Sequence, residues 1–169
     1  VYKITAALTI PPFAHLVGEG PDKTIISNSG STNAVAVTED DDGNVYGAIG
    51  TSSATTPTQI QISSMTIKNT VAYGGISLDR VNKAYFNNVK FQGSFGSGGS
   101  DATNSKGVTV NHSNATYSTS NVTFSQCQFT KFARLVDISY NSTNIRFQAC
   151  DFSTAYYAAL IGAAMDAST

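Results

Sequence analysis

Four segments of the chain share one spacing of apolar residues, in which a first apolar residue is followed by others three and five positions later. The segments are IQISSMTIKN at 60–69, YFNNVKF at 85–91, FSQCQF at 124–129 and FQACDF at 147–152. Their first template residues are Ile62, Phe86, Phe124 and Phe147, at intervals of 24, 38 and 23 residues. Recurrence at a nearly constant period indicates a repeat architecture, in which each unit packs on its neighbours.

The one long interval coincides with an insertion. The Gly/Ser-rich run GSFGSGGSDATNS occupies residues 93–105, and such a composition is typical of a loop. The sequence therefore predicts a single domain over residues 1–169, with repeats of 23–24 residues and one looped-out insertion. We expect a trimmed piece of a longer polypeptide, because the chain opens inside a predicted strand without an initiator methionine.

Shorter alternating stretches lie between the four copies, and each predicts a second strand: GISLD at 75–79, GVTVN at 107–111 and LVDISY at 135–140. Since no segment of helical period separates these strands, the predicted fold is all-β, a parallel β-helix. A leucine-rich repeat shares the spacing, but Thr70, Ser94, Phe132 and Ala155 hold its asparagine position. A β-sandwich is the third alternative.

Stacked repeats place like residues on top of one another, about 4.8 Å apart. This predicts two phenylalanine stacks in the core, and two neighbouring reduced cysteines that act as small hydrophobes. The first stack contains Phe86, Phe124 and Phe147, the second contains Phe91, Phe129 and Phe152, and the cysteines are Cys127 and Cys150.

The run YKITAALTIPPFAHLVGEGPDKTII at residues 2–26 resembles the opening coil of pectin-lyase-like right-handed parallel β-helix proteins. The residues that carry the match are Ile4, Leu8, Ile10, Pro11, Leu16, Gly18, Gly20, Thr24 and Ile25. That family includes polysaccharide lyases, glycosidases, and the tailspikes and tail fibres of bacteriophages. The resemblance implies a right-handed coil, a carbohydrate-facing protein outside the cell or on a virion surface, and assembly as a homotrimer or larger.

The composition of the chain limits the classes of partner that it can bind. Charged residues make up 12% of the chain, and ten basic against eleven acidic residues leave a formal net charge of −1. We therefore expect no nucleic-acid partner, because a phosphate backbone is bound by a basic surface. The longest apolar stretch runs from Ala158 to Met165, too short for the roughly twenty residues that cross a bilayer, so we expect no membrane insertion.

If the template residues point inward, the alternating residues form outward rows. The rows are Gln61, Tyr85, Thr123 and Arg146; Thr66, Lys90, Gln128 and Asp151; and Lys68, Gln92, Thr130 and Ser153. Hydroxyl, amide and aromatic side chains are suited to sugars. The candidate carbohydrate-binding residues are Tyr85, Lys90, Gln92, Gln128, Arg146 and Asp151.

A glycosidase needs two carboxylates about 5–9.5 Å apart. The second predicted face offers one pair, Asp79 and Asp137, two coils apart, with His112 and Tyr140 as neighbours. The alternative interpretation is structural: Asp79 pairs with a neighbouring cation and Asp137 lies at a solvated corner. The acidic run at 39–43 resembles a calcium loop in composition but lacks the complete ligand spacing, so we predict no metal and no cofactor.

The sequence thus favours a bacteriophage tailspike-like or tail-fibre-like appendage domain that binds host or environmental glycans without degrading them. A polysaccharide lyase or glycosidase is the first alternative. A structural virion or extracellular filament subunit is the second.

Overall fold

The computed structural model describes residues 1–11, 13–30, 34–37, 59–71, 73–79, 81–94, 105–111, 119–138, 142–155 and 157–161. These residues are all-β, and no helix occurs among them. The strands are β1 Tyr2–Ile4, β2 Leu8–Thr9, β3 His15–Val17, β4 Ile25–Asn28, β5 Val35–Val37, β6 Ile60–Asn69, β7 Ile76–Asp79, β8 Asn82–Gln92, β9 Lys106–Asn111, β10 Thr119–Ser125, β11 Gln128–Thr130, β12 Arg134–Ile138, β13 Ser142–Gln148, β14 Asp151–Ser153 and β15 Tyr157–Ile161.

The strands form two parallel sheets. Sheet A has nine strands, with the order β1-β4-β6-β8-β10-β13, while β3 pairs with β6 and β11 pairs with both β8 and β14. Sheet B has six strands in the order β15-β12-β9-β7-β5-β2. The chain passes back and forth between the two sheets, and each return adds a strand beside the previous one. This regular parallel pairing is not the antiparallel pattern of a sandwich.

The strand register confirms the predicted repeat. Ile62 lies opposite Phe86, Phe86 opposite Phe124, and Phe124 opposite Phe147. The interval of 38 residues therefore spans a single step of the sheet, as an insertion requires. Most of that insertion, residues 95–104, lies outside the described residues, as do residues 162–169 of the carboxyl tail.

The phenylalanine stacks are confirmed. Phe124 stacks on Phe86 with ring centroids 4.7 Å apart and on Phe147 at 4.9 Å, with interplanar angles of 10° and 6°. In the second stack Phe129 lies 5.0 Å from Phe91 and 5.0 Å from Phe152. The two stacks meet edge to face, as between Phe124 and Phe129 at 5.7 Å and 72°. Both favoured aromatic geometries are thus used in one core.

Two columns of residues along sheet A have left-handed backbone conformation. The strand register aligns one member per repeat in each column, with φ between 46° and 64° in the first and between 50° and 55° in the second. Non-glycine residues adopt this conformation at a cost, and asparagine does so most readily. The first column is Phe13, Gln59, Lys83, Asn121 and Asn144; the second is Ser64, Asn88, Gln126 and Ala149.

A buried phenylalanine outside the two stacks fills a slot made by glycines. A Cβ at Gly93 would lie 2.6 Å from the ring of Phe132, and one at Gly75 or Gly107 would lie 3.2 Å or 3.0 Å from it. A Cβ at Gly107 would also lie 2.6 Å from the backbone oxygen of Leu135. Residues larger than glycine would therefore displace backbone as well as the ring.

Asparagine side chains satisfy the backbone at a corner that follows sheet A. Asn28 and Asn69 are fully buried and lie opposite one another in β4 and β6. Asn28 Oδ1 accepts from the amide of Gly30 at 2.9 Å, and Asn69 Nδ2 donates to the carbonyl of Gly74 at 3.0 Å. Buried polar groups are tolerated only with such partners.

The two cysteines are free and adjacent, as predicted. Their neighbours Gln128 and Asp151 are paired in register, and the Asp151 amide donates to the Cys127 carbonyl at 2.9 Å. Cys127 is buried, whereas Cys150 is half-buried in the last described repeat. Burial raises the pKa of the Cys127 thiol from 9.0 to about 12.

Replacing Phe124 by alanine should lower the free energy of unfolding by about 3–5 kcal/mol. The ring contacts four other phenylalanines, and its removal leaves a cavity among them. Phe152→Ala is the matched control: this ring is 42% exposed and should cost less than half as much. Chemical denaturation of both variants measures the difference. Equal losses would contradict the stacked core.

The Cys127 thiol should make the fold sensitive to alkali. The unfolded thiol ionises near pH 9 and the folded one near pH 12, so between these values the unfolded chain binds fewer protons and stability falls as pH rises. The loss approaches about 1.4 kcal/mol per pH unit. Denaturation of the wild type and of Cys127→Val at pH 8 and about pH 10.5 should show a steeper decline in the wild type. Parallel declines would refute the prediction.

Candidate functional site

The outward polar rows of sheet A are in the predicted register. Gln61, Tyr85, Thr123 and Arg146 form the first row, Thr66, Lys90, Gln128 and Asp151 the second, and Lys68, Gln92, Thr130 and Ser153 the third. Adjacent members of one row therefore lie about 4.8 Å apart at the backbone. All six candidate carbohydrate-binding residues stand in these rows.

A shallow depression of about 270 Å³ surrounds Tyr85. The ring of Tyr85 is 39% exposed and lies between the shorter side chains of Gln61 and Thr123 in its row. His15, Lys83 and Asn121 complete the polar lining. An exposed aromatic face with amide and hydroxyl neighbours can carry the apolar face of a sugar ring.

A second depression, here called the Gln128 depression, has a volume of about 490 Å³. It combines members of the second and third rows at the carboxyl-terminal end of sheet A. Its lining consists of Lys90, Gln128, Thr130, Asp151, Phe152 and Ser153. Gln92 precedes Thr130 in the third row, one strand away. Arg146 is exposed and belongs to the first row, beyond Thr123, and it does not line either depression.

Three polar side chains of the Gln128 depression are open in the part of the chain that the structure describes. Among the described residues, Lys90, Gln128 and Asp151 have no side-chain hydrogen bond and no ion pair. Thr66 in the same row is different: it is buried, and its hydroxyl donates to the carbonyl of Pro21 at 2.6 Å. At one end of the row, Thr66 is thus engaged by another part of the chain. At the other end, Lys90, Gln128 and Asp151 offer open donors and acceptors in the described structure.

A ladder of side-chain amides borders the Tyr85 depression. Asn121 Nδ2 donates to Asn82 Oδ1 at 3.0 Å, and Asn144 Nδ2 donates to Asn121 Oδ1 at 2.6 Å. Asn121 and Asn144 belong to the first left-handed column, and the register of β10 with β13 places them opposite one another. The sequence analysis missed this ladder, since only the tertiary register brings the three residues together.

The predicted catalytic residue Asp137 lies in the middle of β12 on sheet B. Its side chain is 7% exposed, and its Oδ2 atom contacts Lys106 Nζ at 2.8 Å and Arg134 Nη1 at 3.2 Å. The expectation of a solvated corner is wrong, because two cations cover the carboxylate. Lys106 and Arg134 lie side by side because they are paired in the register of β9 with β12. The residue types alone did not reveal this pairing.

The second predicted catalytic residue, Asp79, ends β7, and its side chain lies outside the described residues. In the register of sheet B, Asp79 lies opposite Asn111, whereas Asp137 lies opposite Thr109. The two positions are therefore two strands apart across the sheet and also offset by two residues, about 7 Å, along the strands. His112 and Tyr140 also lie outside the described residues.

The described part of the chain contains no group of three or more histidine, cysteine, aspartate or glutamate side chains arranged to hold a metal ion. The acidic run at 39–43 lies outside it. Nor do the described residues contain a helix with the length and apolar character needed to span a bilayer.

Comparison with known proteins identified no relative. No family model matches the chain, and neither the curated proteins nor the solved structures contain a significant match.

The substitution Asp137→Asn should lower the free energy of unfolding by about 3 kcal/mol, because it leaves Lys106 and Arg134 close together without their shared carboxylate. Asp151→Asn is the control: this exposed carboxylate has no partner among the described residues and should change stability by less than about 0.5 kcal/mol. Chemical denaturation measures both. An unchanged stability of Asp137→Asn would exclude the structural role and favour a catalytic one.

Proposed function

We propose that sheets A and B are two sides of a right-handed parallel β-helix. The alternation of the chain between the sheets supports this proposal, as does the parallel in-register addition of one strand at each return. The left-handed columns add bends within sheet A at constant positions, which a coiled path requires. Each turn of such a helix would contribute one residue to every outward row.

The outer face of sheet A is proposed to bind glycans. The observation that carries this proposal is the Gln128 depression, where an ammonium, an amide and a carboxylate stand in one row without partners among the described residues. Unengaged polar groups at a regular spacing can replace the water around sugar hydroxyls with direct hydrogen bonds. Tyr85 offers an apolar platform on the neighbouring row.

Holding a glycan is favoured over cutting one. The three outward rows of sheet A contain one carboxylate, Asp151, whereas ordinary glycoside hydrolysis uses two. On sheet B, Asp137 is bound to Lys106 and Arg134 and is shielded from solvent. A carboxylate held in this way is not accessible to a substrate.

A surface appendage of the bacteriophage tailspike or tail-fibre type is the biological setting that suits this chemistry. The low charge and the surface rich in hydroxyl and amide groups suit contact with cell-surface polysaccharides. The two phenylalanine stacks suit a stable extracellular rod. Assembly as a homotrimer or larger, which the resemblance of residues 2–26 implies, is part of the same proposal.

A polysaccharide array that displays bacterial capsular and lipopolysaccharide glycans tests the function. Wild-type protein should bind at least one glycan, and Lys90→Ala and Gln128→Ala should each weaken that binding by about tenfold, because each removes an unsatisfied hydrogen-bonding group. Lys23→Ala is the control, since this exposed lysine lies in the loop between β3 and β4 and belongs to none of the three rows.

Two outcomes would contradict the proposal. The first is the absence of binding to every glycan on the array, which favours a purely structural subunit. The second is equal loss of binding in Lys23→Ala and Lys90→Ala. Release of new reducing ends or unsaturated products from a bound glycan would favour the lyase or glycosidase alternative.

A further inference from the structure

We propose that the depression around Tyr85 binds the anionic substituent of an acidic sugar. This inference rests on the proposed glycan-binding function and specifies the class of glycan. The charges of the lining carry it: Lys83 contributes an ammonium group and His15 an imidazole, and no described residue of the lining has a carboxylate.

Tyr85 faces outward in the interior of sheet A. Its neighbours in β8, Ala84 and Phe86, are buried, so the alternation of the strand turns the Tyr85 side chain to the outer face. β6 and β10 pair with β8 on either side of it. The 39% exposure of this residue is therefore a property of the outer face and not of a sheet edge. A sugar ring stacked on Tyr85 would bring its substituents beside Lys83 and His15.

Lys83 supplies an open positive charge. It precedes Tyr85 by two residues in β8, and its side chain is exposed. Among the described residues it has no hydrogen-bond partner and no carboxylate within ion-pair distance. A hydrogen bond from an ammonium group to an anion is stronger than one between neutral groups. The depression therefore gains more from a negatively charged substituent than from a hydroxyl.

The amide ladder beside the depression keeps two oxygen atoms occupied. Asn121 Oδ1 accepts from Asn144 Nδ2 at 2.6 Å, and Asn82 Oδ1 accepts from Asn121 Nδ2 at 3.0 Å. An amide oxygen carries a partial negative charge and would repel an anion. Because both of these oxygens are engaged within the ladder, the repulsion that an anion meets at this border is reduced.

Basic side chains continue along the first row. His15 pairs with Gln61, and Gln61 with Tyr85, so His15 lies two strands from Tyr85 on one side. Arg146 lies two strands from Tyr85 on the other side, beyond Thr123. Each interval is about 9.6 Å, twice the strand spacing, and is comparable with the length of a disaccharide. A glycan with an acid in each repeat, lying along this row, would meet a basic side chain at each repeat.

The Gln128 depression differs in charge. There, Lys90 and Asp151 stand in one row with Gln128 between them, so an ammonium group and a carboxylate balance one another. The described lining of the Tyr85 depression has no such carboxylate. Selection of an anion is therefore assigned to the Tyr85 depression.

Four β-1,4-linked glucose tetrasaccharides that differ only at carbon 6 test the inference: the hydroxymethyl, carboxylate, methyl ester and sulfate forms. Isothermal titration calorimetry with the full chain should show at least tenfold tighter binding of the carboxylate or the sulfate form than of both neutral forms. The methyl ester controls for the size of the substituent, and the tighter of the two anionic forms identifies the anion. Raising the salt concentration from about 20 mM to about 150 mM should lower the ratio, because salt screens the charges.

Lys83→Asn should reduce the ratio of anionic to neutral binding to below about threefold. Asparagine removes the ammonium group and readily adopts the left-handed conformation that Lys83 has, with φ of 64°. Lys131→Asn is the matched control and should leave the ratio unchanged. Lys131 is also exposed and has φ of 60°, but it lines neither depression.

Tyr85→Ala separates the aromatic contact from the charge. This variant should weaken the binding of all four tetrasaccharides by a similar factor, because the ring contacts the sugar whatever its substituent. A thermal melt of each variant shows whether it is folded. Loss confined to the anionic forms in Tyr85→Ala would overturn the assigned contact of the ring.

The two proposals fail differently. Equal affinity for the anionic and neutral forms, or an equal change of the ratio in Lys83→Asn and Lys131→Asn, overturns the anion inference and leaves glycan binding intact. If none of the four tetrasaccharides binds, the two lysine variants are compared on the polysaccharides that bind on the array. Binding of neutral polysaccharides alone, or unchanged binding of an acidic one by Lys83→Asn, then overturns the inference. If no glycan binds in either experiment, the proposed function itself is wrong.

Discussion

Stacking of like residues in register is the interaction on which the rest of this structure depends. In a parallel sheet, each side chain has its equivalents above and below at the strand spacing, which is close to the contact distance of two aromatic rings. The ring of Phe124 is accordingly stacked on Phe86 and on Phe147, with centroid distances of 4.7 and 4.9 Å. Because inner residues set the register, a shift by one residue would turn the apolar set outward.

The outward face inherits its order from the same register. Lys90, Gln128 and Asp151 are separated by 38 and 23 residues in the chain, yet they form one row because the phenylalanines beside them are stacked. Function and stability are thus coupled through the backbone. Substitutions in a row can alter ligand binding without loss of core, whereas a core substitution such as Phe124→Ala disturbs the rows on both sides of it.

Polar residues inside the fold show how strongly tertiary context decides the role of a side chain. Asn28 and Asn69 are buried and satisfy corner backbone groups, while Asn121 and Asn144 stand outside and bind one another. Asp137 was a catalytic candidate because it is a carboxylate on an alternating strand, and its two cationic neighbours give it a structural explanation. Asp151 has the same chemistry and no partner in the described chain, so it is available to a ligand.

The sequence by itself determined the repeat, the two phenylalanine stacks, the adjacent cysteines and the three outward rows, because all of these follow from apolar spacing and strand alternation. Only the tertiary structure decided which row members are open, as the contrast between Thr66 and Asp151 shows. It also decided the pairing of Lys106 with Asp137 and the glycine slot around Phe132. The physical reason is that these contacts join residues from different strands and loops, and the spacing within one strand carries no information about such contacts.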